Sequence, residues 1–259
     1  MTKRIILTTL IVLLSGGLLG SYFHFIGREV AKGRQQARCR EVRVVLLDSL
    51  ESHIVDAGQI RRSLAGQTIG KPIDSIDLHQ METQLRSLGE VMRAEVFAAD
   101  DRTLAVTITQ RKPVIRFERG AERWYADPEG YLFPVRNAVD VPIVTGNLPL
   151  QLDAAYKGFA PEQKTREWTR GMVDLALYID SNPVLKREIA QLDIAANGDI
   201  VLYTRQSGPA IIFGDSGDLE TKFRKLEAWW CNIEPQLEKG KHYKTINLKY
   251  NQQIICTQL

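Results

Sequence analysis

In the segment Glu41 to Leu47 the apolar residues Val42, Val44 and Leu46 fall on one face, an alternation that predicts a half-buried strand. The period then lengthens to that of a helix. Ile60 and Leu64 share one stripe of a short helix that Asp56 can cap and Gly66 can end. Leu78, Met81, Leu85 and Leu88 repeat the stripe behind Asp77, with Gln80 as capping-box partner and Gly89 as terminator. Two strands follow, Val91 to Ala98 and Thr103 to Arg111, joined by the turn-forming Ala99-Asp100-Asp101-Arg102. The order β-α-α-β-β predicts an α+β layer, a small sheet with two helices on one face, and Pro113 marks its end.

Beyond Pro113 short strands alternate with turn signals: Val114 to Glu118, Trp124-Tyr125, Tyr131 to Phe133, and Val141 to Gly146. This predicts a second, β-rich domain with two helices. The first helix opens near Pro161, carries Trp168, Met172, Leu175 and Ile179 on one stripe, and stops at Asn182-Pro183. Ile189 to Ala195 and Asp199 to Arg205 flank Asn197-Gly198, which predicts a hairpin closed by a type I′ turn. Ile211-Ile212-Phe213 is a buried-strand candidate. Asp218 can cap the second helix, whose stripe is Leu219, Phe223, Leu226 and Trp230, leaving Trp229 off it. Tyr243 to Ile255, extended and free of Pro and Gly, predicts a last strand with an open edge.

The N-terminus differs from everything after it. From Ile5 to Ile26 no side chain is charged, and as a helix rising roughly 1.5 Å per residue this run spans about 33 Å, enough to cross a bilayer. No A-x-A-like cleavage site follows, which favours an anchor over a removed signal peptide. Arg28, Lys32, Arg34, Arg38, Arg40 and Arg43 sit beside only Glu29 and Glu41, as expected of a stalk at a membrane surface. They outnumber Lys3 and Arg4 across the span, yet long domains translocate largely regardless of flanking charge. The C-terminal bulk is therefore expected outside the cytoplasm.

With 44% apolar and 25% charged residues, the composition excludes wholesale disorder and collagen, and a net charge of +3 argues against nucleic-acid binding. Cys39, Cys231 and Cys256 are too few for a disulfide scaffold and lack C-x-x-C spacing; three free thiols or a Cys231–Cys256 bridge both remain open. Phosphate loops, dinucleotide fingerprints and H-E-x-x-H are absent. Gly214-Asp215-Ser216-Gly217 is similar to the nucleophile segment of chymotrypsin-like proteases, but none of His24, His53, His79 and His242 stands in that family's histidine context. A strand-to-helix turn ending at Asp218 explains the string better. The carboxylate pairs Asp100-Asp101 and Asp215 with Asp218 are read as solvated turns. No metal or cofactor is implied. An exposed Trp229 would suit a partner surface.

A single span, then β-α-α-β-β, then a β-rich domain, resembles the bacterial FtsQ/DivIB family of cell-division proteins. The phrases that carry the resemblance are Val91, Ala94 and Val96, then Thr103-Leu104-Ala105-Val106 leading to Arg111-Lys112-Pro113-Val114. Trp124-Tyr125-Ala126-Asp127, Gly130 to Pro134, Pro142 to Gly146, Lys222 to Leu226 and Ile246-Asn247-Leu248-Lys249-Tyr250 continue it. The resemblance implies a cytoplasmic tail 1–4, a transmembrane helix 5–26, a basic linker 27–39, a POTRA domain 40–113 and a β-domain 114–259. It also implies a non-enzymatic scaffold of the inner membrane at the division septum, with its C-terminal domains in the periplasm. Such a scaffold recruits FtsB and FtsL, offers the free edge of its POTRA domain as a second docking surface for other division proteins, and helps to control septal peptidoglycan synthesis.

An open C-terminal strand suits that role, because its unpaired backbone groups can accept a strand from another protein. The contact residues expected on this ground are Tyr243, Thr245, Asn247, Lys249 and Tyr250, with Trp229 as an addition. Two other functions compete. A POTRA-type chaperone for outer-membrane protein assembly or secretion requires a barrel partner, and a tethered hydrolase requires a reactive Ser216.

Overall fold

The computed structural model describes residues 21–22, 24, 37–47, 54–100, 102–134, 138–205, 208–237, 243–251 and 253–258. The expected span 5–26 lies outside these residues except for Ser21, Tyr22 and His24. Among the described residues no helix is long and apolar enough to cross a membrane. The chain divides into two units, the second taking over at Gln110.

The first unit contains β1 (Glu41–Leu46), α1 (Ala57–Thr68), α2 (Leu78–Arg86), β2 (Val91–Ala98) and β3 (Thr103–Gln110). The sheet order is β1-β3-β2, with β1 parallel to β3 in the register Val42↔Leu104 and Val44↔Val106. The parallel pair exists because two helices, and not a tight turn, carry the chain from β1 back to the sheet. Asp56 starts α1 by accepting the Gln59 N–H at 2.9 Å, and Asp77 starts α2 by accepting that of Gln80 at 2.8 Å. Ile60, Leu64, Met81 and Leu85 then reach a core shared with Val42, Ala94, Val96, Leu104, Val106 and Ile108. Gly66, expected to end α1, lies inside it. The helix runs on to Thr68, and Gly70, at φ 85°, makes the reversal.

The second unit is one nine-stranded sheet. Its strands are β4 (Ile115–Arg119), β5 (Glu122–Ala126), β6 (Leu132–Pro134), β7 (Ile143–Gly146), β8 (Ile189–Ile194), β9 (Ile200–Thr204), β10 (Ala210–Gly214), β11 (Tyr243–Asn247) and β12 (Ile255–Gln258). They are ordered β12-β11-β10-β9-β8-β7-β4-β5-β6. Among the described residues three α-helices, where the pattern predicted two, accompany it: α3 (Gln163–Ser181), α4 (Pro183–Glu188) and α5 (Leu219–Asn232). Asn182-Pro183 ends α3 but also begins α4, because Asn182 Oδ1 accepts the N–H groups of Val184 and Leu185 and Pro183 tolerates the first helical position. The core gathers Phe117, Trp124, Met172, Leu175, Ile179, Phe213, Phe223 and Leu226. Phe223 of α5 stacks on Tyr178 of α3 at 5.1 Å and meets Phe213 of β10 at 4.9 Å, so α5 joins α3 to that strand.

The β8–β9 hairpin forms as expected with a different turn. Gly198 alone takes a positive φ, 87°, and the bonds Gly198 N–H to Ala195 O and Ala195 N–H to Asp199 O make a type I turn followed by a glycine bulge. Asn197 is kept at negative φ, where its side chain bonds to the Asp199 backbone N–H and carboxylate.

Candidate functional site

The corner where α5 meets the end of the sheet gathers the residues read as a docking surface. Asp218 occupies the cap position of α5 at φ 49°, without the expected side-chain cap. The turn before it is tied down instead by Lys222, whose Nζ donates to Asp215 O at 2.8 Å and Asp215 Oδ1 at 2.6 Å and lies 4.9 Å from the Phe213 ring centroid. Lys222 holds the exposed Asp215 carboxyl below the usual carboxylate range. Ser216 packs over Gly171 of α3, where a Cβ would collide with its Oγ. The Gly214–Gly217 string thus acts as a packed strand-to-helix turn.

From α5, Lys225 Nζ donates to the carbonyl oxygens of Leu248 and Tyr250, each at 2.7 Å, and so fixes the exit of β11. Burial, with the nearby Lys222 ammonium, holds Lys225 below the ordinary lysine value. On the other side of this exit Asn247 Oδ1 accepts the Lys249 N–H at 3.0 Å, and Lys249 Nζ reaches Asp199 Oδ2 at 2.8 Å. That bond holds the Asp199 carboxyl below its ordinary value.

The strand expected as the open edge is not an edge. It ends at Asn247, and β11 is hydrogen-bonded to β10 in parallel on one side and to β12 antiparallel on the other. Lys249 and Tyr250 lie beyond it, in the reversal that leads to β12. Thr245 and Asn247 are half-buried within the sheet, and Tyr243 turns its ring onto Trp229 at 6.2 Å. Trp229 is also corrected: it is 1% exposed, while Trp230 is half-buried. The apolar stripe of α5 is broader than its own sequence indicates, because the β11–β12 hairpin covers the flank on which Trp229 sits.

The open edge is one strand later. Among the described residues nothing pairs with the outer side of β12, whereas β6, at the far end of the sheet, exchanges two hydrogen bonds with Gly158 through Leu132. Ile255 is 42% exposed at that open end, and Cys256 faces inward opposite Ile246. Burial pushes the Cys256 thiol up, with the Trp229 indole beside it working the other way. Cys39, Cys231 and Cys256 are all free thiols. The sequence signal for this second strand was the polar run Lys249-Tyr250-Asn251-Gln252, whose Asn suits a reversal.

A family model described as FtsQ/DivIB, C-terminal related, matches residues 112–257, which includes this corner and most of β12. The chain belongs to the FtsQ/DivIB family. A model for a POTRA-like domain matches residues 37–109, the first unit. No curated protein matches the chain. Membership in the FtsQ/DivIB family points to a cell-division scaffold, and the nine-stranded sheet of this FtsQ/DivIB chain carries its one open edge, among the described residues, at β12.

Proposed function

We propose that the chain is a non-enzymatic, single-pass scaffold of the bacterial division machinery that receives FtsB/FtsL-type partners by strand addition at β12. In this proposal residues 5–26 anchor it in the inner membrane, both described units lie in the periplasm, and partner capture helps to control septal peptidoglycan synthesis. The observation that carries it is that, among the described residues, nothing pairs with the outer side of β12, which starts at exposed Ile255 and follows exposed Tyr250 in the preceding reversal. Backbone groups left unpaired at a sheet end supply affinity, while alternating side chains supply selectivity. Outer-membrane assembly is disfavoured because the match over 112–257 is to a division family.

Proline replaces a backbone N–H and so separates the two sides of β12. In Cys256→Pro and Thr257→Pro, one change removes a donor to β11 and the other removes a donor from the open side. The variant that keeps its unfolding transition is expected to lose binding to the FtsB periplasmic segment. Full binding by both variants would overturn strand addition at this edge. Depletion of the chain in cells is expected to give filaments that elongate without dividing.

A further inference from the structure

The first unit has an edge of its own, and a side chain occupies it. In the order β1-β3-β2 one side of β2 faces β3, and the Ala99 N–H bond to Thr103 O sets which residues point that way. By alternation Arg93, Glu95 and Phe97 direct their backbone groups to β3, and Met92, Ala94 and Val96 direct theirs outward. The outward N–H of Val96 is taken by Glu82 Oε1 of α2 at 3.0 Å, and Arg86 stands 3.8 Å from the other oxygen of that carboxylate. A carboxylate laid over a sheet edge blocks the pairing of further strands.

The residues along β2 identify what is being kept out. Outward-pointing residues of two antiparallel copies pair when their numbers sum to an even value, and a two-fold axis through Ala94 places Ala94 opposite Ala94. That register sets Arg93 against the second copy's Glu95 twice over, exposed Met92 against Val96, and exposed Phe97 against Val91. A shift of two residues one way opposes Arg93 to Arg93, and a shift the other way opposes Glu95 to Glu95. Within one copy Arg93 and Glu95 already lie 2.6 Å apart on the exposed face, so the pairing extends an existing charge pattern.

We propose that Glu82 is a latch on a self-association edge, and that the occupant of that edge is β2 of a second copy, paired antiparallel about Ala94. Two-fold closure limits the assembly to a dimer and gives a continuous six-stranded sheet. The test is sedimentation of the detergent-solubilised full chain over a range of concentrations. Glu82→Ala removes one competing bond per copy and is expected to tighten dimerisation by about tenfold. In that background Arg93→Glu is expected to abolish the dimer, and adding Glu95→Arg to restore it. Hydrogen exchange on β3 amides serves as the control for folding. A Glu82→Ala chain that is folded and no more dimeric than the parent, or a dimer indifferent to the Arg93/Glu95 exchange, would overturn the proposal.

Discussion

Single side chains at the α5 corner act by holding backbone, and this sets what their loss should do. Trp229 fills a site closed by Tyr243 and the hairpin, so Trp229→Ala leaves a cavity and should cost about 3–5 kcal/mol in denaturant unfolding, with Trp230→Ala costing clearly less. Any loss of partner binding in Trp229→Ala should follow the unfolding curve, which separates it from an edge-strand change. Asp199 and Asp215 respond to acid instead. Both carboxyls are held below the ordinary aspartate range, chiefly by Lys249 and Lys222 respectively. A group whose pKa is depressed by folding stabilises above its unfolded value and loses that contribution as pH falls through the folded one. Stability should therefore drop as pH falls below about 4, and Asp199→Asn should flatten that slope in thermal unfolding between about pH 5 and pH 2. An unchanged slope would remove the Lys249 contact from the account.

At the scale of elements, alternation and helical spacing were enough to place the β-α-α-β-β order, because each element there buries one regular face. The errors fall where a neighbour from distant sequence decides. Gly66 stays helical, since nothing in α1 forces a left-handed residue before Gly70. Trp229 is covered by a hairpin that follows it in sequence. The Asn197-Gly198 turn becomes type I with a bulge because Asn197 gains two bonds to Asp199 at negative φ. Asn182 is the most informative of these junctions. Its Oδ1 caps α4, and its Nδ2 donates to Glu227 Oε1 of α5 at 2.9 Å, so one side chain links the end of α3, the start of α4 and the flank of α5. Asn182→Ala should cost about 1–2 kcal/mol, and Asn182→Asp, which keeps the cap but sets a carboxylate against Glu227, should recover only part of it. Urea unfolding of the three proteins checks this; equal stability of Asn182→Asp and the parent would show the Glu227 link to be idle.

For the molecule as a whole, the open end of the second unit's sheet was legible as a place but not as a strand. The residues from Tyr243 to Tyr250 do lie at the open end of the sheet, yet a reversal of a few polar residues puts β12 outside them. Extended β-branched sequence looks the same whether it forms one long strand or two paired ones; only the pairing partner tells them apart. Removing residues 255–259 makes the difference measurable, because it converts β11 into the edge that its sequence suggests. The new edge should be a poor template. The β11–β12 register shifts between Tyr243 and Thr245, so the outer side of β11 carries an irregularity at Lys244 that a regular partner strand cannot follow. Loss of Cys256 also uncovers Trp229 and Tyr243 along their shared flank. The shortened chain should keep the first unit folded by hydrogen exchange, unfold its second unit at lower denaturant, and bind the FtsB periplasmic segment at least tenfold more weakly at a temperature where both units remain folded. Undiminished binding would mean that partners recognise β11 directly and that β12 is displaced on association.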